Sequence, residues 1–251
     1  MAKKPVKSDR QAVIEQMRKK QKGSERRRGF AIVGVCALIA LLIVGAAAFR
    51  PIKDALQQRK YAGQDLASIG APASSCQKPT TKKATGNQDH VEPGTPIAYT
   101  DAPPTFGQHY SVPDPMARKF YTSSDRPDLG TLVHNLEHGY TVLWYDRTAA
   151  KDSQTVQEIK AIAAKFEGTT NLRDKFKAVP WTSADEQGKS FPKGEHIALT
   201  HWSAGGVAAA ASSDTSKQVG VWQYCSKPSG AALQSFMTKY PYLDSPEPNG
   251  A

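Results

Sequence analysis

Five consecutive residues, His134-Asn-Leu-Glu137-His138, place two imidazoles and a carboxylate within about one helical turn. They lie inside the longer stretch "VHNLEHGYTVLWYD", Val133 to Asp146. Imidazoles four apart on a helix share a face and can converge on one ion. A carboxylate beside them can bind the ion or take a proton. His109, in the loop sequence "PPTFGQHY" with Tyr110 next to it, supplies a third nitrogen, and His90 or Glu137 a fourth donor. Imidazole ligands suit zinc or copper. The same written pattern belongs to the inverted zinc-protease motif. That chemistry needs a long helix through the motif and a third, acidic ligand downstream. Here Gly139 and a strand-like run follow at once, and nothing distinguishes Glu158, Glu167, Glu186 or Glu195 as that ligand. Two readings of the cluster stay open. One is a three-nitrogen metal site built from His109, His134 and His138. The other is a network in which imidazoles and Glu137 bond backbone carbonyls and each other, fixing a loop to a sheet.

Positioning these groups is the task of the surrounding elements. Thr131–His138 reads as two helical turns, with Leu132, Val133 and Leu136 on one face and His134 and His138 opposite. Gly139 suits the helix C-terminus. Tyr140–Tyr145 is β-branched and aromatic, which predicts a buried strand. Asp152 or Ser153 can cap a helix over 154–166, with Val156, Ile159, Ile162, Ala163 and Phe166 inward. Residues 175–181 and 196–202 read as strands, 218–225 is ambiguous, and 229–240 is a helix with Leu233, Phe236 and Met237 inward. Pro93, Pro96, Pro103, Pro104, Pro113, Pro115 and Pro127 make 90–128 an ordered loop, with room for a short strand at 96–100. The expected fold is α/β (α+β): one compact domain over 90–243, with a small mixed sheet and flanking helices, and a flexible tail at 244–251. Neither a G-x-S-x-G elbow nor a glycine-rich phosphate loop is present. The four tryptophans read as core anchors.

The compartment is set by the first fifty residues. Formal net charge is +10, which suggests nucleic acid until its distribution is seen. Residues 1–28 hold eleven Lys or Arg against three acids, so this basic tail carries +8 and the rest of the chain +2. A nearly neutral domain lacks a phosphate-tracking footprint, which argues against nucleic acid as a partner. Residues 29–49, "GFAIVGVCALIALLIVGAAAF", hold no charge. As a helix they span about 31 Å, close to the hydrocarbon thickness of a bilayer. Eight Lys or Arg lie within twenty residues on the N-terminal side and four on the C-terminal side. The positive-inside rule then puts the tail in the cytoplasm and the remainder outside the cell membrane, as a single-pass protein. The rival is a signal peptide cleaved after Ala46-Ala47-Ala48, but the apolar run and basic leader are both long for one. The tail segment 9–22 could lie on lipid as an amphipathic helix; a solvated, flexible tail is the simpler expectation. Residues 50–89 are expected as a helical stalk and irregular linker.

Cys36 falls inside the apolar run, whereas Cys76 and Cys225 lie in the exported part. Outside the cytoplasm an even pair most simply forms one disulfide, the alternative being two unpaired thiols.

The stretches "APPTFGQHY", "GTLVHNLEHGYTVLWYD", "FKAVPW", "HIALTHW" and "SPEPNGA" resemble the bacterial family called domain of unknown function 3105. The resemblance covers roughly residues 70–250 and implies a protein of the bacterial envelope: a basic tail, one membrane helix, then this domain outside. It brings no established reaction. The positions matching its signature are His109, His134, Glu137, His138 and Gly139, while His201 stands where a small residue is expected. The functional expectation is a binding or interaction module serving an envelope protein partner. The alternative is a small metal-binding protein or metal-dependent enzyme using His109, His134 and His138.

Overall fold

The computed structural model describes residues 9–212 and 214–250. The chain divides into two compact units, Met1–Leu56 and Gln57–Ala251.

The first unit is helical. Helix α1 runs Asp9–Ala62 without interruption, and its most apolar eighteen-residue window has mean hydropathy 2.8, long and apolar enough to cross a membrane. The basic segment from Asp9 onward, expected as a solvated tail, is part of this helix; residues 1–8 of that tail lie outside the described residues. The helix also passes through Pro51, which supplies no N–H to the ladder.

The second unit starts earlier than its hydrophobic pattern suggests. Within the segment expected as stalk and linker, Tyr61 and Ile69 are buried in the core, and Cys76 is bonded to Cys225. Strand β1, Thr80–Lys83, adds an edge to the main sheet. Its four side chains are exposed, and the two lysines on this edge discourage pairing with another chain. The remaining elements are strands β2 (His90–Val91) and β3 (His109–Tyr110), helix α2 (Leu129–Glu137), strand β4 (Thr141–Tyr145) and helices α3 (Arg147–Lys151) and α4 (Ser153–Ala164). There follow β5 (Phe176–Pro180), the short helix α5 (Ser183–Glu186), β6 (Ile197–Ser203), α6 (Val207–Ala211), β7 (Val219–Cys225) and α7 (Gly230–Lys239).

The sheet has the order β1-β7-β6-β4-β5 and is mixed: β4 and β5 are parallel, all other neighbours antiparallel. Period-two alternation divides its side chains between two cores. Leu143, Tyr145, Phe176, Ala178, Ile197 and Leu199 pack with Ile159 and Ile162 of α4 and Leu233 and Phe236 of α7. Val142, Trp144, Val179, Ala198 and Trp202 pack with Leu132, Val133 and Leu136 of α2. Each large aliphatic side chain so buried contributes about 1.5–3 kcal/mol. Helix α4 begins where Asp152 accepts from the amides of Gln154 and Thr155. The proline-rich stretch covers the second face as ordered loop. It holds no strand at 96–100; instead β2 and β3 pair in parallel, with His90 opposite His109 and Val91 opposite Tyr110.

Candidate metal site

Helix α2 is anchored by its apolar face, which leaves the histidine-bearing face turned toward the proline-rich loop. Gly130 is the point of closest approach: a Cβ there would lie 2.8 Å from the ring of Tyr110. Asn135, fully buried, clamps the same loop, donating to the Asp114 carbonyl (2.8 Å) and accepting from the Asp114 amide (3.0 Å). Past the helix, Gly139 has φ +87° and lies so near the C-terminal segment that a Cβ would be 2.4 Å from the Tyr242 carbonyl oxygen.

Against this frame the β2–β3 ladder sets two histidines beside the two on α2. His90, His109 and His134 form one group of donor atoms within 4.8 Å of each other, and His134, Glu137 and His138 form another. Their hydrogen bonds fix which nitrogen faces the centre. His109 Nδ1 donates to the Gly107 carbonyl (2.7 Å), and His134 Nδ1 donates to the Tyr110 carbonyl (2.5 Å). Both rings therefore direct Nε2 inward. His134 Nε2 is 3.1 Å from His138 Nε2, and His109 Nε2 is 2.9 Å from Glu137 Oε2. His90 Nε2 lies 3.3 Å from the same Glu137 oxygen. For a tetrahedral ion with bonds near 2.05 Å, ligand atoms are about 3.3 Å apart, so these spacings match what an ion requires. Backbone carbonyls holding the outer nitrogens are the usual support of metal-bound histidines.

Charge follows from the same contacts. His109 faces an acceptor at each nitrogen, the pattern of an imidazolium beside a carboxylate; an ion bound at Nε2 would displace the proton shared with Glu137. Burial is the largest single influence and pulls its pKa down, but the hydrogen bonds to Glu137 and Gly107 and the nearby carboxylates together outweigh it, so the pKa is raised. Burial would raise Glu137, yet the His109 bond and nearby imidazoles hold it below the usual value. His134 is pushed down to about 4, first by burial and then by the neighbouring His138 and His109. Its Nε2 is thus an unprotonated lone pair at neutral pH, as a metal ligand must be.

His90, His109, His134, Glu137 and His138 come together here in two groups that share His134, while Tyr110 changes role. Tyr110 contributes its backbone carbonyl; its hydroxyl points away to the Thr95 carbonyl. His201 stands apart, buried between the carbonyls of Tyr140 (3.2 Å) and Asp244 (2.7 Å). Two contributors escaped sequence reasoning. Glu247, in the segment expected as a flexible tail, has Oε2 3.4 Å from His138 Nε2, and its amide donates to the Glu137 carbonyl. Lys175, buried at the start of β5, donates to the carbonyls of His138, Pro248 and Gly250. A signal for Glu247 existed, since "SPEPNGA" is one of the stretches carrying the family resemblance.

A chain with one long apolar helix, and a disulfide-linked α+β unit holding a buried histidine–glutamate cluster, defines a class rather than a reaction. The family described as "protein of unknown function (DUF3105)" matches residues 90–251, and the chain belongs to that family. No curated protein and no solved structure matches the chain.

Proposed function

We propose that the second unit is a metal-binding domain carried outside the cell membrane by a single helical anchor. It would hold one zinc or copper ion between the Nε2 atoms of His109, His134 and His138, with His90 and Glu137 adjacent. The observation that carries this reading is the paired support of His109 and His134. Each outer nitrogen is held by a loop carbonyl, so that the inner nitrogens converge on His138 and Glu137. The two groups of donor atoms, His90 with His109 and His134, and His134 with Glu137 and His138, share His134, and that overlap is what favours an ion over a network serving only to pin the loop. The placement outside the membrane rests on the excess of Lys and Arg before the apolar stretch and on the Cys76–Cys225 bridge.

The test is metal content of the full chain purified in detergent, wild type against His134→Ala. Near one equivalent of zinc or copper in the wild type and a loss of at least tenfold in the variant is the expected result. Substoichiometric metal in both after incubation with either ion would overturn the metal reading. Topology has its own measurement: an alkaline phosphatase fusion at the C-terminus should be active in live cells, and a bright GFP fusion with an inactive phosphatase would reverse the orientation.

A further inference from the structure

His109, His134 and His138 are buried, whereas the side chains of His90 and Glu247 are 45% and 56% exposed. Beside the cluster lies a cavity of about 270 Å³ whose walls include Glu137, Glu247, Asp214 and Gln218. Glu137 belongs both to the cavity wall and to the cluster, so the cavity reaches the cluster at that residue. Its polar lining is unusual in one respect. Gln218 is 7% exposed, and its Oε1 is buried with no hydrogen-bond partner among the described residues. A buried amide oxygen without a donor is destabilising unless something supplies positive charge or a proton. Three carboxylates on this wall, Asp214 also paired with Lys217, stand beside Gln88, Thr215 and Gln218 and give it the acceptors that receive a hydrated cation.

The wall bearing Glu247 is held as a strap. Asp244 accepts from the Ser203 hydroxyl and the Gly206 amide, and Lys175 binds the Pro248 and Gly250 carbonyls. At Gly250 the backbone lies flat on the His138 ring, where a Cβ would come within 2.5 Å. The strap thus fixes Glu247 beside the cavity, with its half-exposed carboxylate 3.4 Å from His138 Nε2.

We propose that this cavity is the route by which the cation enters and leaves, with Glu247 as the carboxylate that meets it first. The domain then exchanges its metal with the surroundings rather than holding it as a permanent structural ion. This rests on the metal reading above and adds the path and the gate residue. Closed cages of four protein ligands are the mark of structural zinc, whereas an open position marks sites that exchange or react.

The experiment is stopped-flow loading of the metal-stripped full chain in detergent with zinc alone, followed by transfer of bound zinc to a fluorescent chelator. Wild type, Glu247→Gln and Asp214→Asn are compared at low and high ionic strength. The expected result is one equivalent of zinc in the wild type and in Asp214→Asn, and loading slowed about threefold to tenfold in each variant at low salt. The difference should narrow at high salt, because screening removes steering by exposed charges. Equal loading rates in all three proteins with stoichiometry intact would overturn the entry route while leaving the metal site standing. Zinc that never transfers to excess chelator would overturn exchange. No uptake by the wild type would remove both this inference and the reading beneath it.

Discussion

Removing the bridge between Cys76 and Cys225 should cost the second unit a large part of its stability without changing its fold. The two residues are 149 positions apart. Closing a loop of that length in the unfolded chain is worth about 5 kcal/mol by loop entropy, and 2–4 kcal/mol is more typical. The structure argues for the upper part of that span. The segment around Cys76 keeps its place through other contacts: the Gln77 amide bonds Tyr224, the Ser226 amide bonds Ser75, and β1 pairs with β7 over four residues. With the native geometry held independently, loss of the bridge acts mainly on the unfolded state. For a unit of this size, 3–5 kcal/mol corresponds to a fall in Tm of about 6–20 °C. Alanine is the replacement for both cysteines, because Cys225 is buried and a hydroxyl there would lack a partner. Tryptophan fluorescence is the assay, since Trp144, Trp181, Trp202 and Trp222 all lie in this unit. Cys76→Ala alone and the double variant should melt together, with reduced wild type beside them. A fall of less than about 3 °C in the double variant would refute the loop-entropy argument for this domain.

Two other outcomes follow from the site. Gly139→Ala should destabilise by more than about 2 kcal/mol, combining a left-handed backbone with a Cβ 2.4 Å from the Tyr242 carbonyl; Gly86→Ala, at φ +88° in open space, should cost only about 1 kcal/mol, and equal Tm shifts would show the close approach to be immaterial. In metal-free protein the His109–Glu137 pair sets a pH signature: His109, raised in the fold, stabilises fully below its ordinary 6.5 and loses this as pH climbs through the raised value, while Glu137, lowered, stabilises above 4.5 and loses this as pH falls through the lowered value. The Tm deficit of Glu137→Gln should therefore be greatest at about pH 5–6 and shrink above neutrality; a deficit that grows with pH would contradict the pair.

Much of the second unit is legible where periodicity is clean. Strands β4, β5 and β6 and helices α4 and α7 fall within a few residues of their sequence positions, because each presents one unbroken apolar face to a core. β7 is ambiguous in sequence because Gly220 and Gln223 interrupt its alternation; its pairing along seven residues of β6 resolves it. β1 is illegible for a physical reason. "TTKK" buries nothing, and only the edge of β7 makes it a strand. Within the site, spacing alone reveals His134, Glu137 and His138. His109 and His90 become opposite partners only through a two-residue ladder that no local pattern announces. The buried lysines are the hardest case. Alternation along β5 puts Lys175 and Lys177 on one face, but not that a loop and the C-terminal strap cover it with carbonyl oxygens.

The HxxEH pattern itself is decided by its surroundings rather than its letters. In a zinc peptidase the glutamate must keep an oxygen free to take a proton from a reacting water. Here Glu137 Oε2 lies between the Nε2 atoms of His109 and His90, 2.9 and 3.3 Å away, and the Glu137 carbonyl is bonded to the strap. Helix α2 is nine residues long, and its C-cap His138 still bonds the His134 carbonyl through its amide, so the motif closes a short helix instead of lying inside a long one. The second imidazole is presented from the helix end, beside the Gly139 turn and under the strap that lies across its ring. A carboxylate committed to two imidazoles neutralises charge and orients donors, the role that the proposed cation site gives it. The proposed site is accordingly tested by how firmly and how fast the protein holds added metal.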